Sequence, residues 1–177
     1  MARKPKTSKK AKGTKARGRG AAAPRRQIRT VTPYLAIRGA SDAIEWYKKA
    51  FGAKEITKVP VPGGMLMHAA IRIGDSEIYM SDIFPGAESK DPLKLGDSPV
   101  TLHLELKDVD AMWNRAVAAG ARVEMPLDDQ FWGDRYGQLA DPFGHHWSLS
   151  SKSKAPKAVL ERKREEAMKL FEKGQHP

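Results

Sequence analysis

Val100-Thr101-Leu102-His103-Leu104-Glu105-Leu106-Lys107 is the stretch that decides the fold. Leu102, Leu104 and Leu106 alternate with Thr101, His103 and Glu105, so this is a strand with one apolar and one polar face. A helix pattern follows from Asp108 or Asp110, carries Met112, Trp113, Ala116 and Val117, and ends at Ala119-Gly120-Ala121-Arg122. The same order occurs earlier in the chain. Thr30 to Ile37 alternates, and a helix pattern then ends at Phe51-Gly52-Ala53-Lys54. Each copy continues into further strands, Ile71 to Ile83 in the first and Tyr136 to Ser150 in the second. A doubled unit means two similar half-sheets. Neither can bury its apolar face alone, so the two pack or pair, and a ligand cleft commonly forms where they meet.

In the first copy, Leu35 and Ile37 share a face with Val31, while Thr32, Tyr34 and Ala36 point the other way. Pro33 makes this an edge strand or takes an unpaired position. Ser41 or Asp42 is expected to cap the helix carrying Ile44, Tyr47 and Phe51. Pro62-Gly63-Gly64 and Gly74-Asp75 read as turns, with Met67, Ala69, Ile71 and Ile73 on the apolar face of the strand between them. Phe84 to Pro99 reads as a connector. Gln130 to Arg135 is a loop carrying Phe131 and Trp132, and Asp141-Pro142-Phe143-Gly144 turns the chain into the last strand. A charged helix, roughly Pro156 to Lys173, has a thin apolar stripe of Leu160, Ala167 and Phe171.

The formal net charge of +11 is unevenly placed. Residues 1–29 hold twelve of the 32 Lys and Arg and none of the 21 Asp and Glu, which leaves 20 bases against 21 acids, a net of −1, in the rest. We expect residues 1–28 to be a disordered basic tail, because they cannot bury enough apolar surface to offset ordering entropy. Such a tail can contact nucleic acid non-specifically by releasing counterions. The domain proper is expected over 29–152, with modules at about 29–84 and 99–152, and residues 153–177 form a peripheral C-terminal helix. The chain has no Cys, which excludes disulfides and thiolate chemistry. No apolar run is long enough to span a bilayer and no signal peptide is read, so a cytoplasmic location with no membrane contact is expected.

Several stretches resemble the vicinal oxygen chelate superfamily, that of glyoxalases, bleomycin-resistance proteins and dioxygenases, and most of all its PhnB-like branch. They are Val31 to Ile37, Ala43 to Ala53, Ile71 to Asp82, Leu104 to Asp110, Ala118 to Ala121 and Gly133 to Trp147. The resemblance covers about residues 29–152. It implies an α+β fold of paired βαβββ modules forming a curved mixed sheet around a cleft, usually as a homodimer. Metal-using members carry a ligand on the first and last strand of each module, places that fall here at Thr32, Tyr79, Thr101 and Ser148. Neutral hydroxyls are poor donors for a divalent cation, so no metal and no cofactor is expected there.

The polar strand faces carry Thr32, Tyr34, Tyr79, Ser81, Thr101, His103, Glu105, His146 and Ser148. The first reading is a metal-independent small-molecule-binding protein whose ligand contacts Tyr34, Tyr79, His103, Glu105, Phe131, Trp132, Arg135 and His146. Phe131 and Trp132 would stack on a planar ligand and Arg135 would hold an anionic group. The second is a metal-dependent lyase or dioxygenase with its site relocated to His103, Glu105 and His146. The third is a nucleic-acid-associated protein acting through its basic tail.

Overall fold

The computed structural model describes residues 30–174 and Met1. The expected disordered tail at 1–28 therefore lies outside the described residues. The first module runs β1 (Tyr34–Ile37), α1 (Ala40–Phe51), β2 (Lys54–Pro60), β3 (Leu66–Ile73) and β4 (Ser76–Asp82). A four-residue helix, α2 (Pro92–Leu95), sits inside the connector read from the sequence at Phe84 to Pro99. The second module repeats the first: β5 (Thr101–Glu105), α3 (Val109–Ala118), β6 (Arg122–Asp129), β7 (Asp134–Ala140) and β8 (His146–Lys152). Helix α4 (Lys157–Glu172) follows.

The class is α+β and the modules are βαβββ. The strands form two four-stranded mixed sheets, ordered β1-β4-β3-β2 and β5-β8-β7-β6, rather than one continuous sheet. In each, the first strand runs parallel to the last and the others are antiparallel. The corresponding strands β1 and β5 lie at sheet edges, where Pro33 at the entry to β1 costs no ladder bond.

The repeated helix endings have one physical cause. Gly52 and Gly120 follow α1 and α3 with φ of +67° and +97°, a left-handed backbone that only glycine adopts at little cost. The starts differ. Asp108 caps α3, its carboxylate accepting from the Asp110 N–H at 3.2 Å. Neither Ser41 nor Asp42 caps α1: the helix begins at Ala40 behind Gly39, and the carboxylate comes from Asp82 at the end of β4. Asp82 Oδ1 accepts from the Gly39 and Ala40 N–H groups at 2.9 Å each, and Oδ2 from the Leu66 N–H at 2.6 Å. Near that bond the β2–β3 register shifts between Val59 and Pro60. Leu66 consequently takes the buried position expected for Met67, which is 57% exposed.

Helices α1 and α3 pack on each other and on their own sheets. Ile37, Ile44, Tyr47, Ile71, Trp147 and Leu149 are completely buried between the layers. Each such side chain contributes about 1.5–3 kcal/mol relative to exposure. Trp46 Nε1–H donates to the Ala119 carbonyl at 2.8 Å, and the Tyr47 hydroxyl donates to Asp141 Oδ2 at 2.6 Å, so α1 is bonded to the second module at two places. Because the helices cover one face of each sheet, the opposite faces remain open for chemistry.

Candidate functional site

The open face of the second sheet is built by strand parity. His103 pairs with Ser148 in register, Gln138 with Ser148 and Tyr136 with Ser150, so all five side chains stand on one face. The His103 ring spans the two serines, with Nδ1 2.8 Å from the Ser148 hydroxyl and Nε2 3.2 Å from that of Ser150. Both serines are buried, so they fix the imidazole from below. Tyr136 stacks alongside His103 at 6.2 Å, with an interplanar angle of 23°. Gln138 Nε2–H donates to the Tyr136 hydroxyl at 2.7 Å. Trp132 meets Tyr136 edge-on at 5.8 Å, and Phe131 meets Trp132 edge-on at 5.0 Å. The result is a row of rings, Phe131, Trp132, Tyr136 and His103, with Glu105 exposed beside it on β5.

The first sheet carries a smaller cluster. Tyr34 and Tyr79 are register partners whose rings meet edge-on at 6.3 Å. His68 joins both, 5.9 Å from Tyr34 and 5.1 Å from Tyr79 between ring centres. The structure places Tyr34 with Tyr79 on one sheet, and His103, Phe131 and Trp132 together on the other. Tyr136, Gln138 and His68, which adjoin these residues, were not among those expected from the sequence. The parity of β7 alone places Tyr136 and Gln138 opposite Arg135.

Two of the expected residues are engaged elsewhere. Arg135 lies on the helix side of β7, where its Nε and Nη2 groups donate to the Asp110 carboxylate of α3 at 2.7–3.0 Å. It is not presented for an anionic ligand on the open face. His146 stands on the polar face but is held by two acids. Nδ1 is 2.6 Å from Glu124 Oε2, and Nε2 is 2.8 Å from Asp97 Oδ1 of the connector.

The Glu124 contact, opposed by partial burial and aided by Asp97, raises the His146 pKa above its ordinary value. Its ion pairs therefore stabilise the fold fully below about pH 6.5, and that contribution is lost as pH rises through the raised value. In an NMR titration His146 is expected to titrate above the unperturbed histidine, and Glu124→Gln to bring it back down. Titration at or below about 6.5 in the parent chain would contradict the pairing.

The donor set at the metal-ligand places does not fit a divalent cation. Thr32, Tyr79, Thr101 and Ser148 offer only neutral hydroxyls, and the Ser148 hydroxyl is engaged by His103. His103, Glu105 and His146 do not converge either: His103 is turned onto the serines and His146 onto Glu124 and Asp97. Among the described residues, no group of three or more His, Cys, Asp or Glu side chains is disposed to hold a metal. His145 is buried in the turn into β8, and its Nε2 has no hydrogen-bond partner among the described residues.

The fold and the sequence profile agree. The profile of the Glyoxalase/Bleomycin resistance protein/Dioxygenase superfamily matches residues 28–149. The chain belongs to this superfamily. It is 51% identical over 122 residues to the uncharacterised protein Rv0887c of Mycobacterium tuberculosis, covering 67% of this chain and 72% of that one. Among solved structures it is similar to TioX from Micromonospora sp. ML1, with 25% identity, a TM-score of 0.55, and 71% and 98% of the two chains covered. A PhnB protein from Bacillus cereus shares the fold, with 17% identity, a TM-score of 0.56, and 70% and 99% covered. The superfamily name spans enzymes and drug-binding proteins, so membership fixes the architecture and leaves the chemistry to the site. Among the described residues no helix is long and apolar enough to cross a membrane.

Proposed function

We propose that the chain is a metal-independent small-molecule-binding protein of the glyoxalase/bleomycin-resistance type, taking a planar, ring-bearing ligand on the open face of the second sheet. The observation that carries this is the row Phe131–Trp132–Tyr136–His103. Trp132, second in this row, is 50% exposed, and it is contiguous with the other rings rather than an isolated surface aromatic. Rings pre-set at these spacings accept another aromatic plane at small entropic cost. The His103 edge and the Gln138–Tyr136 pair supply polar contacts that orient the ligand, and Glu105 favours a ligand with a donor or positive group.

The test is a titration with 2-naphthol and 2-aminoquinoline, followed by ligand-observed NMR, with and without a chelator. Binding is expected to be indifferent to the chelator, and to weaken roughly tenfold in Trp132→Ala or Tyr136→Ala, the worth of one lost aromatic contact. Equal binding by these variants, or binding abolished by the chelator, would sink the proposal.

A second reading is favoured by the charge placement. The twelve bases of residues 1–29, without an acid, suit non-specific polyanion binding, while the remainder has a net charge of −1. Deleting residues 1–28 is expected to remove most DNA binding in a titration and to leave aromatic-probe binding unchanged. The full chain should lose at least about a hundredfold in DNA affinity between 50 and 200 mM salt. DNA binding that survives the deletion would place the polyanion site elsewhere.

A further inference from the structure

We propose that Lys163, on helix α4, is a positioning residue that clamps the Phe131–Trp132 loop and so sets the aromatic row for binding. This rests on the small-molecule reading of that face. Helix α4 lies beyond the residues matched to the superfamily.

The inner stripe of α4 runs through Leu160, Lys163, Ala167 and Leu170, spaced by three and four residues and each buried or half-buried. Lysine is an unexpected occupant of such a stripe. Its place is explained by its contacts: Nζ donates to Asp128 Oδ2 at 2.6 Å and to the Asp129 carbonyl at 2.7 Å. These two residues end β6 directly before the loop. A second contact closes the other side. The Ser153 N–H donates to the Gly133 carbonyl at 3.0 Å, and the Ser153 hydroxyl donates to Asp129 Oδ1 at 2.6 Å. That hydroxyl also accepts from the Ala155 N–H at 3.0 Å, just ahead of α4.

The loop keeps itself tight with bonds from the Gln130 N–H to the Asp134 carbonyl and from the Gly133 N–H to the Gln130 carbonyl, at 2.7 and 3.0 Å. Both of its stems are therefore tied to the C-terminal segment, while the Trp132 ring stays half exposed at the tip. An exposed ring on a held loop has already lost the freedom that binding would otherwise remove, which favours affinity. A lysine head between a carboxylate and a carbonyl provides that hold without covering the ring.

The experiment labels the full chain with 5-fluorotryptophan and records the fluorine resonances of Trp46, Trp113, Trp132 and Trp147, assigning Trp132 by Trp132→Phe. In Lys163→Ala, and in Ser153→Ala as an independent variant, the Trp132 resonance is expected to shift or broaden while the other three stay in place. Lys163→Arg should restore it. The dissociation constant for 2-naphthol should rise roughly fivefold in Lys163→Ala, through loss of loop ordering. An unchanged Trp132 resonance in both variants would overturn the proposal, as would all four resonances moving together. If 2-naphthol fails to bind the parent chain, the small-molecule reading falls, and the Trp132 resonance still decides whether Lys163 clamps the loop.

Discussion

Asp141→Ala is expected to be the most damaging single substitution in the domain, costing about 3–5 kcal/mol. Asp141 is 5% exposed and both oxygens are occupied. Oδ2 accepts from the Tyr47 hydroxyl at 2.6 Å and from Trp147 Nε1–H at 2.8 Å. Oδ1 accepts from the Phe143 and His145 N–H groups at 2.9 and 3.0 Å. Burial, and then the adjacent Asp141 charge, push the Tyr47 phenol well above its usual range, so it stays a donor. Alanine leaves these donors without a partner in the apolar core shared by the modules. Thermal melting should fall by roughly 6–20 °C. Asp141→Asn should recover little, because its amide NH2 would face donors. A melting temperature within about 2 °C of the parent would show that the junction does not depend on this carboxylate.

Gly137→Ala is the second large effect, and its cause is crowding. Gly137 lies in β7 under Trp113, and an added Cβ would stand 2.6 and 2.7 Å from the Trp113 ring carbons Cζ3 and Cη2, and 2.9 Å from Leu127 Cα. One of those neighbours is backbone and the ring is buried in the core, so neither moves freely. Overpacking of this kind costs about 1–3 kcal/mol, or roughly 2–12 °C in melting temperature. Trp113→Phe removes the outer part of the indole. Combined with Gly137→Ala in a double-mutant cycle it should therefore relieve about 1 kcal/mol of the cost. Strict additivity would mean that the ring is not what the methyl meets.

The strand alternation made the architecture legible because β1 and β5 are edge strands with one wet face, where apolar and polar residues segregate most clearly. The helix endings were legible because Gly52 and Gly120 occupy a backbone region that side chains avoid. Long-range choices were not. The cap of α1 comes from Asp82, 43 residues from the Gly39 N–H it accepts, so the nearby Ser41 and Asp42 gave a false signal. Arg135 was read as a ligand group of the Gln130 to Arg135 loop, but it belongs to β7, where period-2 parity from Tyr136 puts it on the helix side. Nothing local announces that Glu124 and Asp97 claim His146, or that Lys163 sits in the inner stripe of α4 to hold a loop. The two half-sheets were legible in the doubled unit, but how they join was not, since such a unit is compatible with pairing edge to edge or packing through the helices.

The most direct test of the account is where an aromatic probe sits on the protein. Intermolecular NOEs from bound 2-naphthol should reach the side chains of Trp132, Tyr136 and His103, with no dependence on added metal. NOEs that land instead on the exposed Leu93 and Leu95 of α2, or only on the first sheet around Tyr34 and Tyr79, would contradict the claim that the row on the second sheet is the binding face.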